Sequence, residues 1–138
     1  MKTKKIRGLS IETIFTQVEA ILNELDMMQD SSHQDIFSYN IKLALWELFS
    51  NLISHGGEEV CEEITVHIYE NEAEILFKVI SDGNRFNWKE YKENDCPSFE
   101  QEGGRGLYIL QQICDRFAYE EEGQMAILGF EKQKEAHK

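Results

Sequence analysis

Two groups of residues in this 138-residue chain have types and spacings suited to chemistry. In "LALWELFSNLISHGG", residues 43–57, a carboxylate, an amide and an imidazole (Glu47, Asn51 and His55) recur every four positions. A step of four advances a helix by about 40°, so the three side chains fan across about 80° of one side. Ser54, Ser50 and Asn40 fall near the same sector, while Leu45, Leu48, Phe49, Leu52 and Ile53 fall on the other. On its own, that stripe reads as the solvent face of an amphipathic helix, and only the rest of the sequence bears on a functional reading. The second group consists of glycines. "SDGNRF" (81–86) follows a strand pattern, and "EGGRGLYILQQICD" (102–115) sets a glycine cluster immediately before a helix pattern. Glycine lets the backbone approach a phosphate closely, and the free N–H groups of a helix start attract anions. Phosphate binding is the chemistry these segments suit.

The elements that must position these residues follow from periodicity. A short extended start (about Lys5 to Leu9) leads to Ser10, the expected cap of a helix from Ile11 to about Met27. Its apolar residues Ile11, Ile14, Phe15, Val18, Ile21, Leu22 and Leu25 keep the 3–4 spacing of one buried face. Ser31 or Ser32 opens a second helix from about Gln34 to His55, stopped by Gly56 or Gly57. "EITVHIYE" and "EAEILFKVIS" alternate as strands around a turn at Asn71 and Glu72. Asp82 to Gly104 has no periodicity, which marks it as a functional lid or a disordered segment. "GLYILQQICDRF" then reads as a third helix, and "FAYEEEGQMAILGFE" as a hairpin turning at Glu122 and Gly123. Segregated elements of this kind predict an α+β fold, with helices on one face of a mixed, mostly antiparallel sheet. Trp46 and Phe49 are expected in the core, and Trp88 and Tyr91 lie in the lid.

Composition narrows the partners. Hydrophobic residues make up 41% of the chain and aromatics 11%, a globular balance. No apolar run reaches the roughly 18 residues of a membrane span, and charges interrupt the first helix too often for a secretory core. The net charge of −12, from 14 basic and 26 acidic residues, disfavours nucleic acid and anionic membrane as partners. Cys61, Cys96 and Cys114 show no metal or disulfide spacing, so reduced thiols in a cytoplasmic protein are expected.

The three motifs together, in this order, resemble the histidine-kinase-like ATPases that include gyrase B and MutL (the GHKL or Bergerat fold). That family's N box has the pattern E-x-x-x-N-x-x-x-H/K, matched by Glu47, Asn51 and His55. Its first glycine box is D-x-G, and its second has the form G-G-x-G-L, matched by Gly103, Gly104, Arg105, Gly106 and Leu107. The size, the short lid and "GGRGLYILQQICDRFAY" look most like the bacterial anti-sigma-factor serine/threonine kinases.

The resemblance covers about Ser10 to Lys132. It implies one domain over 1–138, built as a two-layer α/β sandwich with a lid at about 83–104. It further implies ATP and Mg²⁺ as cofactors, and a sigma factor and an anti-anti-sigma (STAS-type) protein as partners. A homodimer is compatible with it. Glu47 is the implied general base, and Asn51 the implied Mg²⁺ ligand. Backbone N–H groups at Gly104, Arg105, Gly106 and Leu107 are the implied phosphate cradle, with Arg105 and Arg85 available to offset the chain's acidity. His55 either contacts phosphate and orients the loop or serves near the helix end. The chain departs from the family at the first glycine box. Aligning Gly83 and Phe86 puts Ser81 where the family has its adenine-binding aspartate, with Asp82 one residue later. A hydroxyl still accepts a hydrogen bond, but without charge. Asp82 takes the role only if the turn is one residue shorter. Two functions follow: an ATP-dependent kinase that is also an anti-sigma factor, or a non-catalytic regulator of the same fold with weakened or lost nucleotide binding.

Overall fold

The computed structural model describes residues 1–26, 36–56, 59–60, 63–81, 105–121 and 124–132, with backbone alone at 54–56, 59–60 and 105–107. The elements run β1 (Lys2–Ile6), β2 (Leu9–Ser10), α1 (Ile14–Leu22), α2 (Ile36–Gly56), β3 (Glu59–Val60), β4 (Ile64–Glu70), β5 (Glu74–Ser81), α3 (Arg105–Ile113), β6 (Arg116–Glu120) and β7 (Met125–Glu131). Five strands form one sheet in the order β1-β4-β5-β7-β6, and every ladder in it is antiparallel. β2 and β3 form a separate two-stranded ladder.

Strict alternation gives the sheet one buried face. Ile64, Val66 and Ile68 on β4 share it with Ile75, Phe77 and Val79 on β5 and Ala126, Leu128 and Phe130 on β7. The buried residues of α1 and α2 join the same core, so the helices lie over this face, and α3 packs against α2. The fold is therefore α+β with two layers. Phe77 and Phe130 meet edge to face, with centroids 6.1 Å apart, a favoured ring geometry. The β4–β5 turn is closed by Asn71, whose Oδ1 accepts hydrogen bonds from the N–H groups of Ala73 and Glu74 at 2.7 and 2.9 Å.

The helix layer is tied to the sheet at one corner. α1 ends at Leu22, and the chain continues in tight turns in which Glu24 and Leu25 donate three residues back, to Ile21 and Leu22. Asp26 N–H then donates to Glu70 Oε1 at 2.7 Å, and the other oxygen of that carboxylate holds Lys132 Nζ at 2.9 Å. Leu25 is buried as its spacing predicts, although it lies outside the helix.

Several boundaries differ from the sequence expectation, each for a physical reason. Ser10 does not cap α1. It pairs with Glu59 in the small ladder, and Thr13 precedes the helix with its hydroxyl turned back toward Gly8 O and Ser10. Ile11 and Phe15, expected on the buried face, are 61% and 62% exposed. Ile11 lies in the turn before the helix, and Phe15 sits on its flank. α3 stops at Ile113 because the sheet claims the next residues: Asp115 N–H donates to Gly129 O, and Arg116 and Phe117 pair with Gly129 and Leu128. Trp46 is half-buried against the core rather than within it. The Ser31/Ser32 cap, Gly57, the lid with Trp88 and Tyr91, and the hairpin tip at Glu122 and Gly123 lie outside the described residues.

Candidate functional site

α2 is the element that organises the site. Ile41, Ala44, Leu45, Leu48, Phe49, Leu52 and Ile53 are all buried and fix the rotation of the helix against the sheet. That rotation leaves Glu47 and Asn51 on one flank, one turn apart and both half-buried. α1 covers the opposite flank. Phe15 stacks on Trp46 with centroids 6.0 Å apart, and Glu19 pairs with Lys42 at 2.7 Å. Trp46 lies about 100° around the helix from Glu47, so these α1 contacts fall on a different side of α2 from Glu47.

The stripe is thus not a plain solvent face. Burial raises the Glu47 carboxyl above its ordinary value, because partial removal from water disfavours the charged form. Ser50, between Glu47 and Asn51 in sequence, carries an Oγ that is buried without a hydrogen-bond partner. Trp46 Nε1, on the preceding turn, is in the same condition. Sequence reasoning placed Ser50 in the sector but gave it no part, and treated Trp46 as core. The indole N–H, which usually finds a partner when buried, was the available signal.

On the sheet, the helix-facing row that starts at Ile6 and Ile64 ends at Ser81. Ser81 is 1% exposed, the sole buried polar side chain among the described residues, and its Oγ has no partner. Its backbone N–H donates to Gln124 O at 2.9 Å, which fixes the strand end and the direction of the side chain. An unpartnered buried hydroxyl costs about 1–3 kcal/mol, so a residue kept in that state needs a reason beyond packing.

α3 begins at Arg105, directly after Gly103 and Gly104, so the helix start falls on the glycine motif as expected. The structure therefore places Glu47 and Asn51 together on α2 and sets Ser81 on the helix-facing side of the sheet. Arg105, Gly106 and Leu107 form the first turn of the helix packed on α2. His55 belongs to α2 by its backbone; the side chains of His55, Arg105 and Leu107 are outside the described set, as are Asp82, Gly83, Gly103 and Gly104 altogether. Among the described residues no three His, Cys, Asp or Glu side chains gather to hold a metal. No helix among the described residues is long and apolar enough to cross a membrane.

A model of the histidine kinase-like ATPase domain matches residues 11–130. The chain belongs to this family. The match runs from the turn before α1 to the end of β7 and so includes all three motifs. Comparison with curated proteins gave no match. Family membership assigns the chain an ATP-utilising, kinase-like or ATPase-like domain, of a kind that binds ATP, typically with Mg²⁺.

Proposed function

We propose that the protein is an anti-sigma factor and ATP-dependent serine/threonine kinase that phosphorylates an anti-anti-sigma (STAS-type) protein in a partner-switching pathway. The observation that carries this reading is the Glu47–Asn51 pair, half-buried and one turn apart, with the Glu47 carboxyl raised by burial. A carboxylate made more basic by partial desolvation is a better proton acceptor, which is what activation of a serine hydroxyl requires. Glu47 would take the hydroxyl proton as the serine oxygen bonds to the γ-phosphorus and ADP leaves. Asn51 would offer its amide oxygen to Mg²⁺. The ion, when bound, supplies neutralisation of the triphosphate charge. Gly103 and Gly104 would admit the phosphates close to the backbone, and the N–H groups of Gly104, Arg105, Gly106 and Leu107 would hold their oxygens at the start of α3. The Arg105 guanidinium would offset part of the chain's negative charge there, and His55 would contact phosphate or steady the end of α2. Ser81 would accept the hydrogen bond of the adenine amino group, with Asp82 and Gly83 forming the turn beside it.

Ser81 also favours a second reading, a non-catalytic binding module on the same fold, because a neutral hydroxyl replaces the family's carboxylate at the base. One experiment separates the two. Purified protein, Mg²⁺ and γ-labelled ATP are incubated with a STAS-type partner. Label on a partner serine supports the kinase, whereas partner binding without label, unchanged in Glu47→Ala, moves the account to the module.

A further inference from the structure

Along the helix-facing side of the sheet, apolar packing is continuous until it reaches one hydroxyl. Ile64, Val66 and Ile68 on β4 and Ile75, Phe77 and Val79 on β5 are all buried there. The same alternation turns inward the last residue of β5, Ser81, which is 1% exposed. Strand pairing holds it in place. Ser81 lies opposite Ile64 in the ladder with β4, and on its other side its N–H donates to Gln124 O at 2.9 Å. A slip of one residue would send every side chain of β5 to the other face, so the register that buries Phe77 also keeps the Ser81 hydroxyl inside. Ile64 and Val79, its neighbours on that face, bring no polar side-chain atom, and its Oγ has no hydrogen-bond partner. A buried hydroxyl ordinarily has one.

We propose that Ser81 takes its partner from the base of a bound nucleotide, and that it admits 6-amino and 6-oxo purines alike. This rests on the reading above, in which the site binds a purine triphosphate with its base at Ser81, and adds which bases that site accepts. An ionised carboxylate only accepts hydrogen bonds. It suits the amino group on carbon 6 of adenine and opposes the oxygen that guanine and hypoxanthine carry there. A hydroxyl has one proton to donate and two lone pairs to accept with, and its proton rotates to suit. No protein acceptor fixes the Ser81 proton, so the same oxygen accepts from an amino group or donates to an oxo group. Specificity is a difference of affinities, and this position no longer supplies one.

Isothermal titration of the full chain with Mg²⁺-ATP and Mg²⁺-inosine triphosphate tests the proposal. The inosine nucleotide lacks the 2-amino group of GTP and differs from ATP only at position 6 and the adjoining ring proton. The parent chain should bind the two within about tenfold of each other. Ser81→Ala removes donor and acceptor together and should weaken both, each by about fivefold to tenfold. Ser81→Asp makes the position acceptor-only and should favour ATP by more than about tenfold. A parent chain that prefers ATP by more than that overturns the inference and leaves the nucleotide site standing. So does Ser81→Ala that weakens neither nucleotide or only one, a result that holds even where the buried aspartate of Ser81→Asp prevents folding. A folded Ser81→Asp without preference overturns it too. Binding of neither nucleotide by the parent chain overturns the inference together with the proposed function.

Discussion

Phe49 and Glu47 stand two residues apart on α2 under opposite constraints. Phe49 is fully buried in the shared core and holds the helix to the sheet. Glu47 is half-buried with a carboxyl that burial makes harder to ionise, so folding gains nothing from its charge. The same helix therefore has one side shaped by packing and one side carrying a group that packing disfavours. A residue retained against the interest of the fold points to chemistry.

Substitution sharpens this contrast. Glu47→Gln keeps the shape and removes the base. It should lower phosphoryl transfer about 10²–10⁴-fold while leaving stability equal or higher, as read by transfer assays and urea melts on one preparation. Phe49→Ala should do the reverse, costing about 3–5 kcal/mol of stability in the same melts. If Glu47→Gln unfolded the protein, the two sides of α2 would not differ in the way described.

How far the sequence revealed this contrast depended on the length of each pattern. The alternation of β4 and β5 and the apolar spacing of α2 span many residues, so one layer of helices over a mainly antiparallel sheet was legible. The pairing of Leu9–Ser10 with Glu59–Val60 was not, because two residues carry no period. Ser10 looked like a cap for the same reason: a hydroxyl before an apolar run suits a cap and a short ladder alike. Arg116 and Phe117 continue the spacing of α3, and only their pairing with β7 assigns them to a strand. At the site, the step of four placed Glu47 and Asn51 together correctly, whereas their half-burial depends on how the rest of the chain packs around that flank. Ser81 was legible as a departure from a motif, but its buried, unpartnered hydroxyl required the sheet register.

Acid titration offers a finer comparison. The native Glu47 carboxyl holds its proton to higher pH than the unfolded chain does. As pH rises from the ordinary carboxylate value through the raised native one, the native state binds more protons, so this group's contribution to stability falls, and it is constant above that window. Subtracting Glu47→Gln midpoints from those of the parent chain across the acid range should isolate that fall, and a flat difference would contradict the raised value. The smallest effect concerns Ser81→Ala. It removes an unpartnered hydroxyl, so stability should rise by about 1 kcal/mol in chemical denaturation while affinity for ATP falls.

The central claim is that the Glu47–Asn51 flank of α2 receives a Mg²⁺-bound triphosphate. Isothermal titration of the parent chain and of Asn51→Ala with ATP, in the presence and absence of Mg²⁺, tests it most directly. The account predicts Mg²⁺-dependent binding by the parent chain, weakened about tenfold or more by Asn51→Ala. Equal affinity in the two proteins, or no binding by the parent chain at millimolar ATP, would contradict it.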